Sequence, residues 1–207
     1  MEIRDHALIY ALLCRNIISE TGKENGEELI RRITEAYGLK RGARMAELSE
    51  GRSISDFLIH GEWKGKEGEN ISSMTYNNDS TVSTVSKCVW YDTWKKYGLL
   101  DYGPYYCRYI DKAICKGFDG DFDLKVEKSI GSGDDACVFV WTQGTNEEYI
   151  RKEKEEANGK WIKPFSFHCQ ELYECAAEIL ADDIRDVILN NTKEDYDNFI
   201  KEKGNTQ

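Results

Sequence analysis

Cys107 and Asp111 stand four residues apart, a thiol and a carboxylate at one helical turn's spacing. On a helix they lie one above the other, and Arg108 beside them supplies the kind of charge that lowers a thiol pKa toward the reactive thiolate. That combination suits a nucleophilic thiolate. The competing reading is packing, because a helical Cys flanked by Tyr106 and Ile110 is the type most often buried. Cys14 and Cys175 sit in apolar stripes and read as core. Cys137 offers a second thiol on a strand, either chemical or simply packed.

Only three His occur. His168 is the candidate proton carrier, with Glu171 three residues on to orient it; the plainer reading is a polar residue in a first helical turn. His60 is a loop residue without a local partner, and His6 lies near the N-terminus. No CxxC, HxxxH or HExxH pattern occurs, and the pairs Cys107/Cys115 and Cys169/Cys175 do not share a helix face, so no metal site is expected. Asp119, Asp121 and Asp123 resemble the start of a calcium loop, yet the glycine and glutamate it requires do not follow, and strand alternation explains them better. Gly131-Ser132-Gly133 precedes a strand instead of a helix, which favours a turn over a phosphate cradle.

Around these residues the pattern predicts a helix opening at Pro104, with Tyr106, Ile110, Ala113 and Ile114 on its buried face. A strand with Phe122, Leu124 and Val126 alternating follows, then a turn at Gly131–Asp135, then a strand through Cys137 and Phe139. Upstream, Ile71–Tyr76 and Thr81–Lys87 read as a hairpin about Asn77-Asn78-Asp79. Cys88–Tyr97 reads as a short helix anchored by Trp90, Tyr91 and Trp94 and ended by Gly98. Two hairpins with helices before and after give an α+β fold: an antiparallel sheet of about four strands packed against several helices.

Toward the N-terminus, Leu8, Leu12, Leu13 and Ile17 make an amphipathic stripe over Ile3–Glu20. A second helix spans Glu24–Leu48, where Gly38 and Gly42 are expected to kink or interrupt it near Arg44 and Met45. Ser53 or Ser55 caps a short turn through Phe57 and Leu58. Gly61–Asn70 reads as a surface loop whose Lys64, Lys66, Glu67 and Glu69 are solvated. Beyond Trp141, Glu147–Lys160 is a charged, exposed segment. Phe165–Leu189 reads as one long amphipathic helix, and Thr192 as the cap of a last one ending before Gly204.

The chain has 207 residues, 40% of them hydrophobic, with five Trp and twelve Tyr, enough for one domain with a sizeable core. Residues 1–207 are taken as a single domain: helical 1–60, hairpin and core 71–142, C-terminal helices 165–203. A net charge of −10 without a basic stripe argues against nucleic acid. No apolar run long enough to span a membrane and no signal peptide is visible, so a cytoplasmic protein without a membrane partner is expected. Seven Cys at irregular spacing read as reduced thiols, not a disulfide framework.

The helix bearing Tyr106-Cys107 and Asp111, then Gly117-Phe118, a strand, and Gly133-Asp134-x-x-Cys137-x-Phe139, with Trp90, Trp94 and Gly98 upstream, resembles the L-2-amino-thiazoline-4-carboxylic acid hydrolase family. The resemblance covers residues 80 to 142 best. It implies a hydrolase of carbon–nitrogen (non-peptide) bonds in cyclic amidines, opening the thiazoline ring to an N-carbamoyl amino acid. It further implies Cys107, Asp111 and His168 as catalytic groups: Cys107 as nucleophile or close contact, Asp111 as amidine anchor, His168 moving protons. Tyr106, Arg108, Phe118, Cys137, Phe139 and Trp90 would bind substrate, with Arg108 or Arg44 on its carboxylate. The partner is then a small-molecule substrate and no cofactor is implied; a homo-oligomer stays open. The Gly-Asp-x-x-Cys-x-Phe element is also similar to 4-vinyl-reductase-like domains, so the alternative is a non-catalytic small-molecule-binding domain with an aromatic-lined pocket.

Overall fold

The structure, a computed structural model, describes residues 1–157 and 159–204. Its first helix, α1 (Ile3–Thr21), buries residues 6 through 14 without a break, so the expected one-sided stripe is in fact covered on nearly every side. Helix α2 (Lys23–Glu47) packs against it. Three later helices also surround α1: α4 (Val89–Lys96), α7 (Phe165–Ile179) and α8 (Asp182–Gly204). The main core forms there, around Leu8, Leu12, Ile30, Tyr37, Trp94 and Leu172.

Gly38 and Gly42 do not interrupt α2. They let α5 (Tyr105–Phe118) approach it almost backbone to backbone. A β-carbon at Gly42 would lie 2.0 Å from the Ile114 carbonyl oxygen, and one at Gly38 would lie 2.5 Å from Ala113 Cβ. Gly117 on the facing helix answers, since a β-carbon there would stand 2.3 Å from the Leu39 carbonyl oxygen. Small residues at this spacing remove the side chains that would otherwise hold two helices apart.

The four strands are β1 (Ile71–Tyr76), β2 (Thr81–Lys87), β3 (Leu124–Lys128) and β4 (Cys137–Trp141). They form one antiparallel sheet in the order β1-β2-β4-β3, as the α+β reading requires. Register aligns Ser72 with Val85 and Val85 with Cys137, and next to them Ser83 with Phe139 and Phe139 with Val126. With a side-chain period of two, these residues share one face. The turn before β4 is a single 3-10 turn closed by Gly133 at φ 98° and by Asp134, whose carboxylate accepts the Ser129 N–H at 2.8 Å. β3 begins only at Leu124. Asp121 and Asp123 therefore precede it, and Asp119 accepts the Asp121 N–H in a local turn.

Short helix α3 (Ile54–Ile59) carries the expected Ser53 cap, its hydroxyl accepting from the Asp56 N–H. The loop after it is less exposed than its charge suggests: Glu62 is 1% and Glu69 9% accessible, whereas Lys64, Lys66 and Glu67 are solvated. Helix α6 (Glu147–Ala157) is charged and mostly exposed, with Ile150 as its inward contact. The expected long C-terminal helix is broken. Leu180 is extended at ψ 136°, and α8 restarts at Asp182-Asp183, two acids well placed at a helix N-terminus. Thr192 is no cap; it lies inside α8, fully buried, donating to the Ile188 carbonyl at 2.7 Å.

Candidate active site

Helix α5 presents Cys107, Asp111 and Ile114 along one stripe toward the sheet face, and between them lies a cavity of about 280 Å³. Tyr106, Cys107, Ile110, Asp111 and Ile114 form its helical wall. Ser72, Ser83, Val85, Val126, Cys137 and Phe139 form its β wall, which is the single face set by strand register. Arg41 from α2, Trp63 and Asn70 from the loop, and Cys88 and Trp90 at the start of α4 complete it. A wider open depression of about 940 Å³ lies between the 59–64 loop and α6, beside Lys64, Arg151 and Lys154, and includes neither Asp111 nor any thiol.

Of the residues singled out in the sequence, Cys107, Asp111, Tyr106, Cys137, Phe139 and Trp90 all line this cavity. Three others are elsewhere. Phe118 packs with Met45, Ala46 and Phe57 in a separate cluster, since it lies seven residues, about two helical turns, beyond Asp111. Arg108 is exposed, its guanidinium 4.8 Å from the Tyr105 ring centre, on the outer side of α5. His168 is 1% accessible, packed between Phe165 and Phe167. Its expected partner Glu171 is engaged instead by Arg44, whose Nη2 donates at 3.0 Å. Burial and the charge of Arg41 push the His168 pKa down to about 3. His168 is thus a neutral, enclosed imidazole that does not line the cavity.

The cation at the cavity is Arg41, which the sequence reading passed over. It is 5% accessible, donating from Nε to Glu62 at 3.1 Å and from Nη1 to the Tyr106 hydroxyl at 3.2 Å. Glu62 also accepts from Arg44, so one buried carboxylate joins two arginines, and Glu171 on α7 closes the chain. The available signal was Arg41's place between Gly38 and Gly42, a long cation on the face where two helices nearly touch.

Asp111 makes no ion pair or side-chain hydrogen bond among the described residues. Burial raises its pKa from 3.8 to about 6, and the charge of Arg41 pulls only part of the way back. The thiols move the same way. Burial puts Cys107 well above its ordinary range, with Cys88, Asp111 and Cys137 adding to it, and raises Cys88 to about 11. The expected lowering of Cys107 by Arg108 does not occur, because that guanidinium points outward. Cys137 is also raised by burial, but the rise is partly offset because its sulfur accepts the Ile130 N–H at 3.3 Å. All seven cysteines are unpaired, and among the described residues no cluster could hold a metal ion. No helix of the described residues is long and apolar enough to cross a membrane.

Fold and cavity together define an α+β protein with a carboxylate- and thiol-lined cavity clamped between one helix and an antiparallel sheet. Residues 2–141, from α1 through β4, match the family model of L-2-amino-thiazoline-4-carboxylic acid hydrolase. The chain belongs to that family. The match takes in the N-terminal helices as well as the segment that carried the resemblance, whereas α6, α7 and α8 lie beyond it. Comparison with curated proteins and with solved structures gives no match. The family name points to a hydrolase-like function.

Proposed function

We propose that this chain hydrolyses a cyclic amidine, opening 2-amino-thiazoline-4-carboxylate to N-carbamoyl-cysteine, with Asp111 as the central group. The observation that carries the reading is an unpaired carboxylate, poised near neutral pH, on a cavity wall shared with a fixed arginine. A substrate with an amidinium at one end and a carboxylate at the other has a complementary charge pattern. Arg41 receives the substrate carboxylate with the guanidinium edge left free by Glu62 and Tyr106. One oxygen of Asp111 accepts from the amidinium, and the other takes a proton from water as it attacks the carbon between sulfur and the two nitrogens.

The neutral adduct collapses by breaking its carbon–sulfur bond rather than a carbon–nitrogen bond, because N-carbamoyl-cysteine keeps both nitrogens on that carbon. Asp111 returns its proton to the departing sulfur, and the adduct hydroxyl releases one to solvent as the carbonyl forms. Protonated substrate plus water thus gives N-carbamoyl-cysteine plus one proton. Activated water is preferred over a thiolate because burial keeps the cavity thiols protonated. Cys107 and Cys137 then serve as soft contacts for the ring, and His168 has no proton-transfer role.

Purified protein incubated with the thiazoline should liberate a new free thiol, read with a chromogenic disulfide. Asp111→Asn should slow release by about 100-fold or more, and Cys107→Ser by less than about tenfold. No thiol release from the folded wild-type protein would sink the reading.

A further inference from the structure

A second hollow of about 200 Å³ adjoins the first, and Arg41, Trp63, Asp111, Ile114 and Phe139 line both. Its remaining wall differs in chemistry. Met45, Phe57, Leu58, Cys115, Leu124 and Trp141 are apolar or nearly so, and Glu62 there is already held by Arg41 and Arg44. Water in such a chamber finds few free partners, so an apolar group displaces it favourably. The space is several times the ~30 Å³ that a water molecule occupies in the liquid. A single small ring bearing an amino group and a carboxylate fills only the first hollow.

Resting on the amidine reading of Asp111, we propose that the second chamber is a subsite for an apolar substituent, so that the preferred ligands are isothiourea-type amidines carrying a group of about phenyl size. The two hollows meet at Asp111. The amidinium therefore sits at the junction, its polar end toward the thiol- and serine-lined side and its substituent among Leu58, Leu124 and Trp141. A 2-amino-thiazoline is itself a cyclic isothiourea, so open-chain isothioureas report on the same contact.

The test titrates the full chain with S-methylisothiourea and S-benzylisothiourea by calorimetry at about pH 7.5, where Asp111 is ionised. The wild-type protein should bind the benzyl compound at least about tenfold more tightly, the return expected from burying an aromatic group. In Leu58→Trp, which fills the chamber, that ratio should fall to about one. Met45→Phe, from another wall, replaces it if Leu58→Trp does not fold. A wild-type ratio near one, or a ratio that survives chamber filling, overturns the subsite alone. Absence of binding by either compound, together with absence of thiol release from the thiazoline, overturns the amidine reading and the subsite with it.

Discussion

Gly42 on α2 and Ile114 on α5 meet so closely that a β-carbon on Gly42 would stand 2.0 Å from the Ile114 carbonyl oxygen. This approach brings Arg41 and Asp111 to one cavity wall, because each sits one residue or one turn from the crossing. Both neighbours are helical backbone and neither can swing aside. Gly42→Ala should cost about 3 kcal/mol or more, read from the denaturant midpoint. Gly120→Ala, with open space around its β-carbon, should stay within about 0.5 kcal/mol. Equal effects would remove the close crossing from the account.

Asp111 carries a stability cost with a defined sign. Its folded pKa, about 6, exceeds the value of an exposed carboxylate, so the folded state holds the proton more tightly. Its contribution is fully present below about pH 4 and is lost as pH rises through about 6. Asp111→Asn should therefore match wild type at pH 4 and exceed it at pH 8 by on the order of 2 kcal/mol, while turnover falls. Urea titrations at the two pH values decide; a variant less stable at pH 8 would contradict the assignment.

Glu62 neutralises two arginines while itself 1% accessible. Glu62→Gln leaves both cations in a poorly solvated place and should cost about 3–5 kcal/mol. Arg31→Ala, which removes only exposed pairs, should scarcely move the midpoint. Thermal melts of the two variants compare them directly.

The cavity thiols should alkylate slowly with iodoacetamide at about pH 8, because burial holds all three protonated. Unfolding in urea should accelerate labelling sharply. Mass spectrometry of timed samples assigns the sites, and rapid native labelling at Cys107 would restore the covalent route.

His6 and His168 are both neutral and buried. The Trp90 indole donates to His6 Nδ1 at 3.3 Å, which places the proton on Nε2, facing the Tyr37 hydroxyl at 3.2 Å. Burial lowers both pKa values, that of His168 to about 3, so their contribution is present above about pH 6.5 and is lost as pH falls below it. Each adds a slope of about 1.4 kcal/mol per pH unit in that window, and Asp111 opposes with only one such slope between about pH 6 and 4. Wild-type stability should thus decline from pH 6.5 to 5, and His168→Gln should flatten the decline in denaturant titrations.

Local chemistry made much of the fold legible. The Asn77-Asn78-Asp79 hairpin, the Ser53 cap, the Cys88 and Pro104 helix starts and the Gly133 turn depend on neighbours in sequence, and all lie where the pattern puts them. The α7–α8 break escaped detection because Ile184, Val187 and Ile188 continue the same apolar periodicity across it. Glu62 and Glu69 escaped because a charged loop reads as solvated until its partners are known.

By itself, the sequence determined most of the elements before residue 165, the antiparallel α+β architecture and the stripe bearing Cys107 and Asp111, since helical and strand periods fix which side chains share a face. Only the tertiary structure decided that Arg41, rather than Arg108, is the cation at the cavity, that His168 is sealed among aromatic rings, and that burial raises Asp111 and the thiols together. Those outcomes depend on the α2–α5 crossing and on desolvation. Both arise between residues far apart in the chain, where spacing along it carries no information.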